Sequence, residues 1–325
     1  MLQNKDMAFK NLIEVITYFA DKTVATEFLI KARWHGKITC PHCQSENVNR
    51  LNGKTPAFKC YGCRQLFSAT KGTIFENSPI HLQKWFAAIY LITSHKKGIS
   101  SHQIAKDISV TQKSAWFMLQ RIRFAQQSGT FEFNAGSTVQ VDETFIGGKE
   151  KNKHQSRIAR NERKNILAGN NTVKFSGRSL GVKTPVVGMI ATGGMVVAKV
   201  VKDTKSGSLI PFITENVAKG ATIVTDEWAA YVSLRKDYNH ESVKHRLGEY
   251  VRGPFHTNGI ENFWSIFKRG IIGIYHHVSS KHLDKYVDEF EFRFNTRLNG
   301  EAERFEKLVS LCNRRLTYNE LIADI

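Results

Sequence analysis

Asp142, Asp226 and Glu261 are the acids whose settings suggest catalysis in this 325-residue chain, and Cys40, Cys43, Cys60 and Cys63 are its candidate metal thiolates. The cysteines form C-P-H-C and C-Y-G-C, with sixteen residues between the pairs. A C-x-x-C turn lets two thiolates grip one ion, and two such turns complete a tetrahedral four-sulfur site. The spacing therefore predicts a zinc ribbon, structural because four sulfurs leave no position open. A redox dithiol needs only one such pair, and His42 between the ligands reads as a bystander. The three acids pose a different problem. Brought together, they raise one another's pKa by repulsion and desolvation. Divalent cations relieve that, and hard oxygen donors with room for water suit Mg²⁺ or the similar Mn²⁺. Two ions about 3.5–4 Å apart would serve a phosphodiester displacement, activating the attacking oxygen and steadying the leaving one.

The elements that must position these groups are legible nearby. Gly253 to Gly270 reads as a short helix, with Ile260, Phe263, Trp264 and Phe267 as its core stripe. Glu261 and Lys268 lie on a neighbouring polar face, two turns and about 10 Å apart. Asn258 and Glu261 equally fit a capping box, in which both side chains only satisfy free backbone N–H groups. Val139 and Val141 alternate with Gln140 and Asp142, which predicts a strand with Asp142 opposite the valines. Glu143 and Glu227, next to the two aspartates, are expected on the opposite side, as surface or supporting groups. Pro185 to Ala191 and Met195 to Val201 read as a hairpin, Ser206 to Lys219 as a helix, and Ala221 to Thr225 as a strand ending at Asp226. A meander followed by strands alternating with helices predicts an α/β fold: a mixed sheet covered by helices. Neighbouring strand ends would then bring Asp142 and Asp226 together, with Glu261 leaning in from its helix.

The rest of the chain points to a polyanion. Lys and Arg number 47 against 29 Asp and Glu, a net charge of +18, which favours a nucleic-acid partner over a merely solvated basic surface. No run of 18 or more apolar residues occurs, so no membrane span is expected. The first ten residues lack an apolar signal core, and paired cysteines in this spacing suit a reducing compartment, so the expected location is the cytoplasm, at the nucleoid. Residues 8–33 read as packing helices. Arg33, Trp34, Lys37, Lys59 and Arg64 around the ribbon suit either DNA or a solvated face. Ser101 to Asp107, a turn at Ile108 to Val110, and a helix from Thr111 have helix-turn-helix spacing. Gln112, Lys113 and Ser114 would sit where a major-groove reader places its base contacts, and Arg121 and Arg123 would favour phosphates. Helical hairpins that bind nothing share this look. Gln126 to Ser137 is a polar bridge, and residues 149–183, with ten Lys or Arg against two Glu, read as a flexible basic insertion. Cys312 reads as a core residue. The segments expected are a helical start (1–34), the ribbon (35–72), a helix-turn-helix region (73–130), a catalytic domain (135–300) and a helical tail (301–325).

From Cys40 to Arg297 the chain resembles bacterial insertion-sequence transposases that carry an N-terminal zinc ribbon and a ribonuclease-H-like DDE domain. The resemblance rests on C-P-H-C with C-Y-G-C, V-D-E-T-F-I-G-G-K, T-D-E-W-A-A-Y and H-T-N-G-I-E-N-F-W-S-I-F-K-R-G. Thirty-four residues separate Asp226 from Glu261, and Lys268 follows Glu261 by seven, both as in that family. The resemblance implies that Asp142, Asp226 and Glu261 hold the catalytic metals and that Lys268, with Arg269 beside it, contacts DNA. Asn258 or His256 could share the third acid's role. It also implies binding of terminal inverted repeats, strand cleavage by water, strand transfer by the freed 3′-OH, and a homo-oligomer on DNA. The alternatives are an inert DNA-binding regulator descended from such an enzyme, and a ribonuclease-H-like nuclease acting on structured nucleic acid.

Overall fold

The computed structural model describes residues 9–51, 53, 56–127, 138–147, 156, 159, 163, 183–191, 194–243, 251–253 and 255–323. The polar bridge and the basic insertion lie largely outside the described residues. Contacts group the chain into two compact units, Met1–Gly129 with Asp288–Ile325, and Thr130–Val287. Ribbon, helical region and C-terminal tail thus belong to one unit, whatever their order along the chain. Among the described residues no helix is long and apolar enough to cross a membrane.

The first unit opens with α1 (Leu12–Tyr18) and α2 (Lys22–Trp34). Asn11 and Asp21 start them by accepting the N–H of Glu14 and of Thr23, which satisfies donors that a helix start leaves unpaired. Strands β1 (Val48–Leu51), β2 (Ala57–Cys60) and β3 (Leu66–Ser68) form an antiparallel sheet. Helices α3 (Leu82–Ser94), α4 (Ser101–Asp107) and α5 (Gln112–Gln126) follow. Ser100 caps α4 and Thr111 caps α5, and Ser109 between them takes φ 52°. The helix-turn-helix boundaries therefore fall where the sequence places them.

The second unit is a five-stranded sheet of order β6-β5-β4-β7-β8. Strands β4 (Thr138–Ile146), β5 (Thr184–Ala191) and β6 (Val196–Val200) form an antiparallel meander. After α6 (Ser206–Asn216), β7 (Thr222–Thr225) pairs parallel to β4. A 3₁₀ helix at Ala229–Lys236 leads to β8 (Asn239–Ser242), parallel to β7. This is the ribonuclease-H-like arrangement, a mixed sheet flanked by helices. One sheet face buries Val139, Val141, Val187 and Met189 against Leu209, Ile213 and Tyr231. The short two-stranded ribbon of β9 (Val251–Arg252) and β10 (Phe255–His256) precedes α7 (Asn258–Gly270), which covers the other face. Its stripe of Ile260, Phe263, Trp264 and Phe267 is buried, as the helical spacing requires.

Helix α8 (Leu283–Asn295) begins in the second unit and ends in the first, where α9 (Glu301–Ser310) and α10 (Tyr318–Ile322) follow. Phe305 of α9 joins Phe19, Phe28 and Phe86 in an aromatic cluster, with the Phe19 and Phe86 rings 4.6 Å apart. Cys312 is fully buried, as expected. Two expectations fail here. Arg123 is not a phosphate contact: it is 1% exposed and donates to Glu289 at 2.5 Å, while Arg293 holds the other oxygen of that carboxylate. Arg121 is buried too, donating to the carbonyls of Leu316 and Ile74 at 2.9 and 2.8 Å and lying over the Phe117 ring. A buried guanidinium is tolerated when its fork is filled, and here acid and carbonyls distant in sequence fill it.

The contact of α7 with the sheet depends on a missing side chain. Gly188 lies opposite Asp142 in the β4–β5 register, and a Cβ there would come within 2.7 Å of the Trp264 ring and 3.1 Å of Ile260. Gly188→Ala should therefore destabilise the fold by about 1–3 kcal/mol, the range for overpacking a filled core. Gly207→Ala, in a helix with open space around it, should leave stability equal or raise it. Thermal denaturation of the two variants against the parent checks this.

Candidate active site

The pairing of β4 with β7 sets where the acids stand. Thr138, Val139 and Gln140 lie beside Thr222, Ile223 and Val224 in parallel register. Two more steps along both chains set Asp142 beside Asp226. By then β7 has ended at Thr225 while β4 runs on to Ile146. The carboxyl ends of two neighbouring parallel strands thus form an opening, the usual place for a ligand in an open α/β sheet. In it, carboxylate oxygens of Asp142, Asp226 and Glu143 all lie within 4.8 Å of one another.

Glu143 corrects the sequence reading, which sets it aside as pointing to the opposite side. Strand alternation does send its Cβ to the face opposite Asp142, toward Tyr231. Its longer side chain nevertheless reaches the strand edge that β7 no longer covers. The fully buried Tyr231 hydroxyl donates to Glu143 Oε1 and steadies it. Burial, then the Glu143 charge, pushes the Tyr231 phenol well above its ordinary pKa, so it stays a donor.

Asp142 has a pKa pushed up to about 6. Loss of solvent is the main cause, and the charges of Asp226 and Glu261 add to it. The Glu143 backbone N–H and the Lys268 ammonium oppose the shift. Lys268 is itself lowered by desolvation, which the Asp142 charge partly offsets. Asp226 Oδ1 accepts from the Trp228 N–H at 3.0 Å, and the Thr225 hydroxyl bridges the Asp226 carbonyl and His240 Nε2 at 2.7 and 2.9 Å.

Glu261 is near enough to act on Asp142 electrostatically but stands outside the tight group of three. The capping-box reading is set aside by one residue. The N-cap is Thr257, not Asn258, and it makes no side-chain cap bond. Its hydroxyl donates instead to Glu261 Oε1 at 2.8 Å. Asn258 is exposed in the first turn, and His256 Nδ1 faces the Gln140 amide nitrogen at 3.2 Å. Lys268 and Arg269 are exposed on α7. In the other unit, Lys113 is exposed at the start of α5. Gln112 is tied to the Ser101 hydroxyl at 2.9 Å and Ser114 to the Thr111 hydroxyl at the same distance.

The four cysteines form a second centre. Cys40 and Cys63 sulfurs are 3.7 Å apart, and those of Cys43 and Cys60 are 3.6 Å apart. A tetrahedron of about 2.3 Å metal–sulfur bonds has edges of about 3.8 Å, so the cage has the dimensions of a four-thiolate zinc site. Two matched turns build it. Cys40 N–H donates to the Ser45 carbonyl and Cys60 N–H to that of Gln65, and Gln44 and Arg64, just after each pair, both take φ 61°.

Comparison with known proteins matches a family domain over each of the two regions. Residues 134–295 match the ISXO2-like transposase domain, and residues 21–65 match the transposase zinc-ribbon domain. A Halobacterium salinarum protein described as an uncharacterized protein in transposable element ISH50 is 27% identical over 287 residues, covering 86% of this chain and 92% of that one. A Haemophilus influenzae protein described as transposase-like is 30% identical over 97 residues, 30% of this chain and 77% of its own. A pre-cleavage Mos1 transpososome shares 13% identity over 71% of this chain and 80% of its own, but at a TM-score of 0.22 the two superpose poorly. The two domain matches fall on the two centres built above and leave the intervening helices between them: this chain belongs to the insertion-sequence transposases that join a zinc ribbon to an ISXO2-like DDE domain.

Proposed function

We propose that the protein binds the terminal inverted repeats of an insertion sequence and carries out metal-dependent strand cleavage and strand transfer. The observation that carries this reading is the meeting of Asp142, Glu143 and Asp226 at the carboxyl ends of two parallel strands, with Asp142 desolvated. Carboxylates this close favour a cation between them, and an all-oxygen donor set suits Mg²⁺ or Mn²⁺. Asp142 and Asp226 would hold it, with Glu143 and Glu261 as the neighbouring acids. When bound, the metal supplies Lewis-acid activation of the attacking oxygen and charge relief at the leaving one. Tyr231 keeps Glu143 turned toward the opening, and Thr257 keeps Glu261 at its edge. Lys268, on the same helix face as Glu261, faces the Asp142 charge and would meet a phosphate laid across the acids. Asn258 stands exposed in the first turn of the helix, about one turn before Glu261 and nearly three before Lys268, and is available to the same DNA strand.

Zn²⁺ in the four-cysteine cage would fix the ribbon for end binding. Arg121 and Arg123 have no part in that contact, since both are consumed inside the fold. Lys113, Lys268 and Arg269 are the members of the expected DNA-contact set that remain exposed, with Gln112 and Ser114 requiring release from their partners. Joining two element ends calls for at least two copies on DNA.

Three tests follow from these assignments. Asp142→Asn should lower Mg²⁺-dependent cleavage of element-end DNA on the order of 10³-fold or more, with end binding by electrophoretic shift unchanged; retained cleavage refutes the assignment. Because the folded-state pKa of Asp142 lies above its ordinary value of 3.8, its ionisation opposes folding. The metal-free protein should lose stability as pH rises from about 4 through about 6, on the order of 2 kcal/mol from this residue. Denaturant melts should show that loss in the parent and not in Asp142→Asn, and added Mg²⁺ should stabilise more at pH 8 than at pH 5. Finally, a chelator strong enough to strip zinc should unfold the ribbon and abolish end binding, restored by Zn²⁺ and not by Mg²⁺; fluorescence of Trp34, which packs on Phe58 and Phe67 of the ribbon, reports the unfolding.

A further inference from the structure

Gln140 precedes Asp142 by two residues on β4, so both side chains leave the strand on the α7 face. Its amide oxygen accepts the backbone N–H of Gly259 at 2.9 Å and of Ile260 at 3.2 Å. These are two of the donors that a helix start leaves unpaired. The residue that would ordinarily satisfy one of them, Thr257, makes no cap bond, because its hydroxyl is committed to Glu261. The two duties of an N-cap are thus divided: Thr257 orients the acid, and a strand residue caps the helix.

We infer that Gln140 is a positioning residue, which locks the start of α7 to β4 and so sets Glu261 against Asp142. This rests on the proposed catalytic role of those acids, but the contact itself is independent of it. The distance involved is short. Gln140 and Asp142 are about 6.6 Å apart along the strand, and Glu261 is the residue immediately after Ile260, whose N–H is held. A shift at this cap passes directly to the acid. The approach also requires Gly259: a Cβ there would stand 2.8 Å from the Gln140 amide oxygen. The amide nitrogen of Gln140 meets His256 Nδ1 at 3.2 Å, which fixes the side-chain amide's orientation with its oxygen toward the helix. His256 is thereby engaged in the same clamp rather than in the acid group.

Three variants of the full-length protein test this. Gln140→Leu keeps the bulk and loses the acceptor. Gln140→Glu keeps an acceptor and places a negative charge at the helix start, where it is favoured. Gly259→Ala leaves Gln140 in place and displaces its oxygen. Hydrogen exchange at the Gly259 and Ile260 amides, read without metal or DNA, should quicken about fivefold in Gln140→Leu and Gly259→Ala, the factor for losing an ordinary helix cap. Gln140→Glu should keep the parent's protection. In cleavage assays the first two should lose kcat by 10- to roughly 10²-fold with KM for the DNA end unchanged, as for a misplaced reacting group, and Gln140→Glu should retain the rate. Parent-like exchange in Gln140→Leu, or a Gln140→Glu variant as impaired as Gln140→Leu, overturns the inference. Should Gln140→Leu fail to fold, Gly259→Ala decides between the same outcomes. If the parent itself does not cleave element ends, the proposed function fails, while the exchange measurement still tests the clamp.

Discussion

Asp142 and Asp226 repel each other. At separations within 4.8 Å each pair of ionised carboxylates costs about 3.5 kcal/mol at an effective dielectric of 20. A hydrogen bond to a charged group returns about 1.5–3 kcal/mol, so the bonds from Trp228 to Asp226 and from Tyr231 to Glu143 fall short of three such repulsions, about 10 kcal/mol together. Two things can make up the difference: neutralisation, which the raised Asp142 pKa records, or a cation. The second unit is arranged to make the repulsion unavoidable. Parallel pairing of β4 and β7 is continuous up to Gln140 and Val224, and the acids come directly after it, so the ladder delivers them to the same sheet edge.

The first unit meets a similar difficulty and solves it the other way. Arg123, Arg293 and Glu289 are all buried, but opposite charges are present from the start, and both oxygens of Glu289 are taken. Arg293 also donates to the carbonyls of Ile92 and His95. Such a cluster needs no ligand. Removing one member would leave an uncompensated buried charge, at a cost of about 3–5 kcal/mol. One unit therefore buries charge with its counter-charge built in, and the other leaves like charges facing an opening. The contrast separates a cluster complete in itself from one that has room for a cation, without reference to sequence motifs.

Much of this is legible in the sequence alone. Alternation around Val139 and Val141 placed Asp142, the strand ending at Thr225 placed Asp226, and the C-x-x-C spacing placed the four sulfurs. The boundaries of α4 and α5 were fixed by Ser100 and Thr111, residues whose oxygen accepts backbone N–H groups. Three readings failed for physical reasons. Period-two alternation describes where a Cβ points, not where a glutamate ends, so Glu143 was assigned to the wrong surroundings. Arg121 and Arg123 read as phosphate contacts because their partners, Glu289, Leu316 and Ile74, are distant in sequence. Asn258 looked like a cap because Asn and Glu at that spacing often are, but the helix starts after Thr257 and takes its cap from another element. Gln140 carried a weak signal all along, since a polar residue two before a strand aspartate shares its face.

The way α7 is seated explains why acids alone do not make this site. Its hydrophobic stripe supplies the attraction, since Ile260, Phe263, Trp264 and Phe267 are all buried. Attraction of that kind is not directional, and a helix held only by apolar contact could slide along the sheet by part of a turn. Two glycines and one amide remove that freedom. Gly188 admits the Trp264 ring over the strand position beside Asp142, Gly259 admits the Gln140 oxygen, and that oxygen ties the first turn to β4. Glu261 and Lys268, two turns apart on the exposed side, inherit their placement from those contacts. The residues that make the acids useful are therefore the small and uncharged ones that let a helix come close.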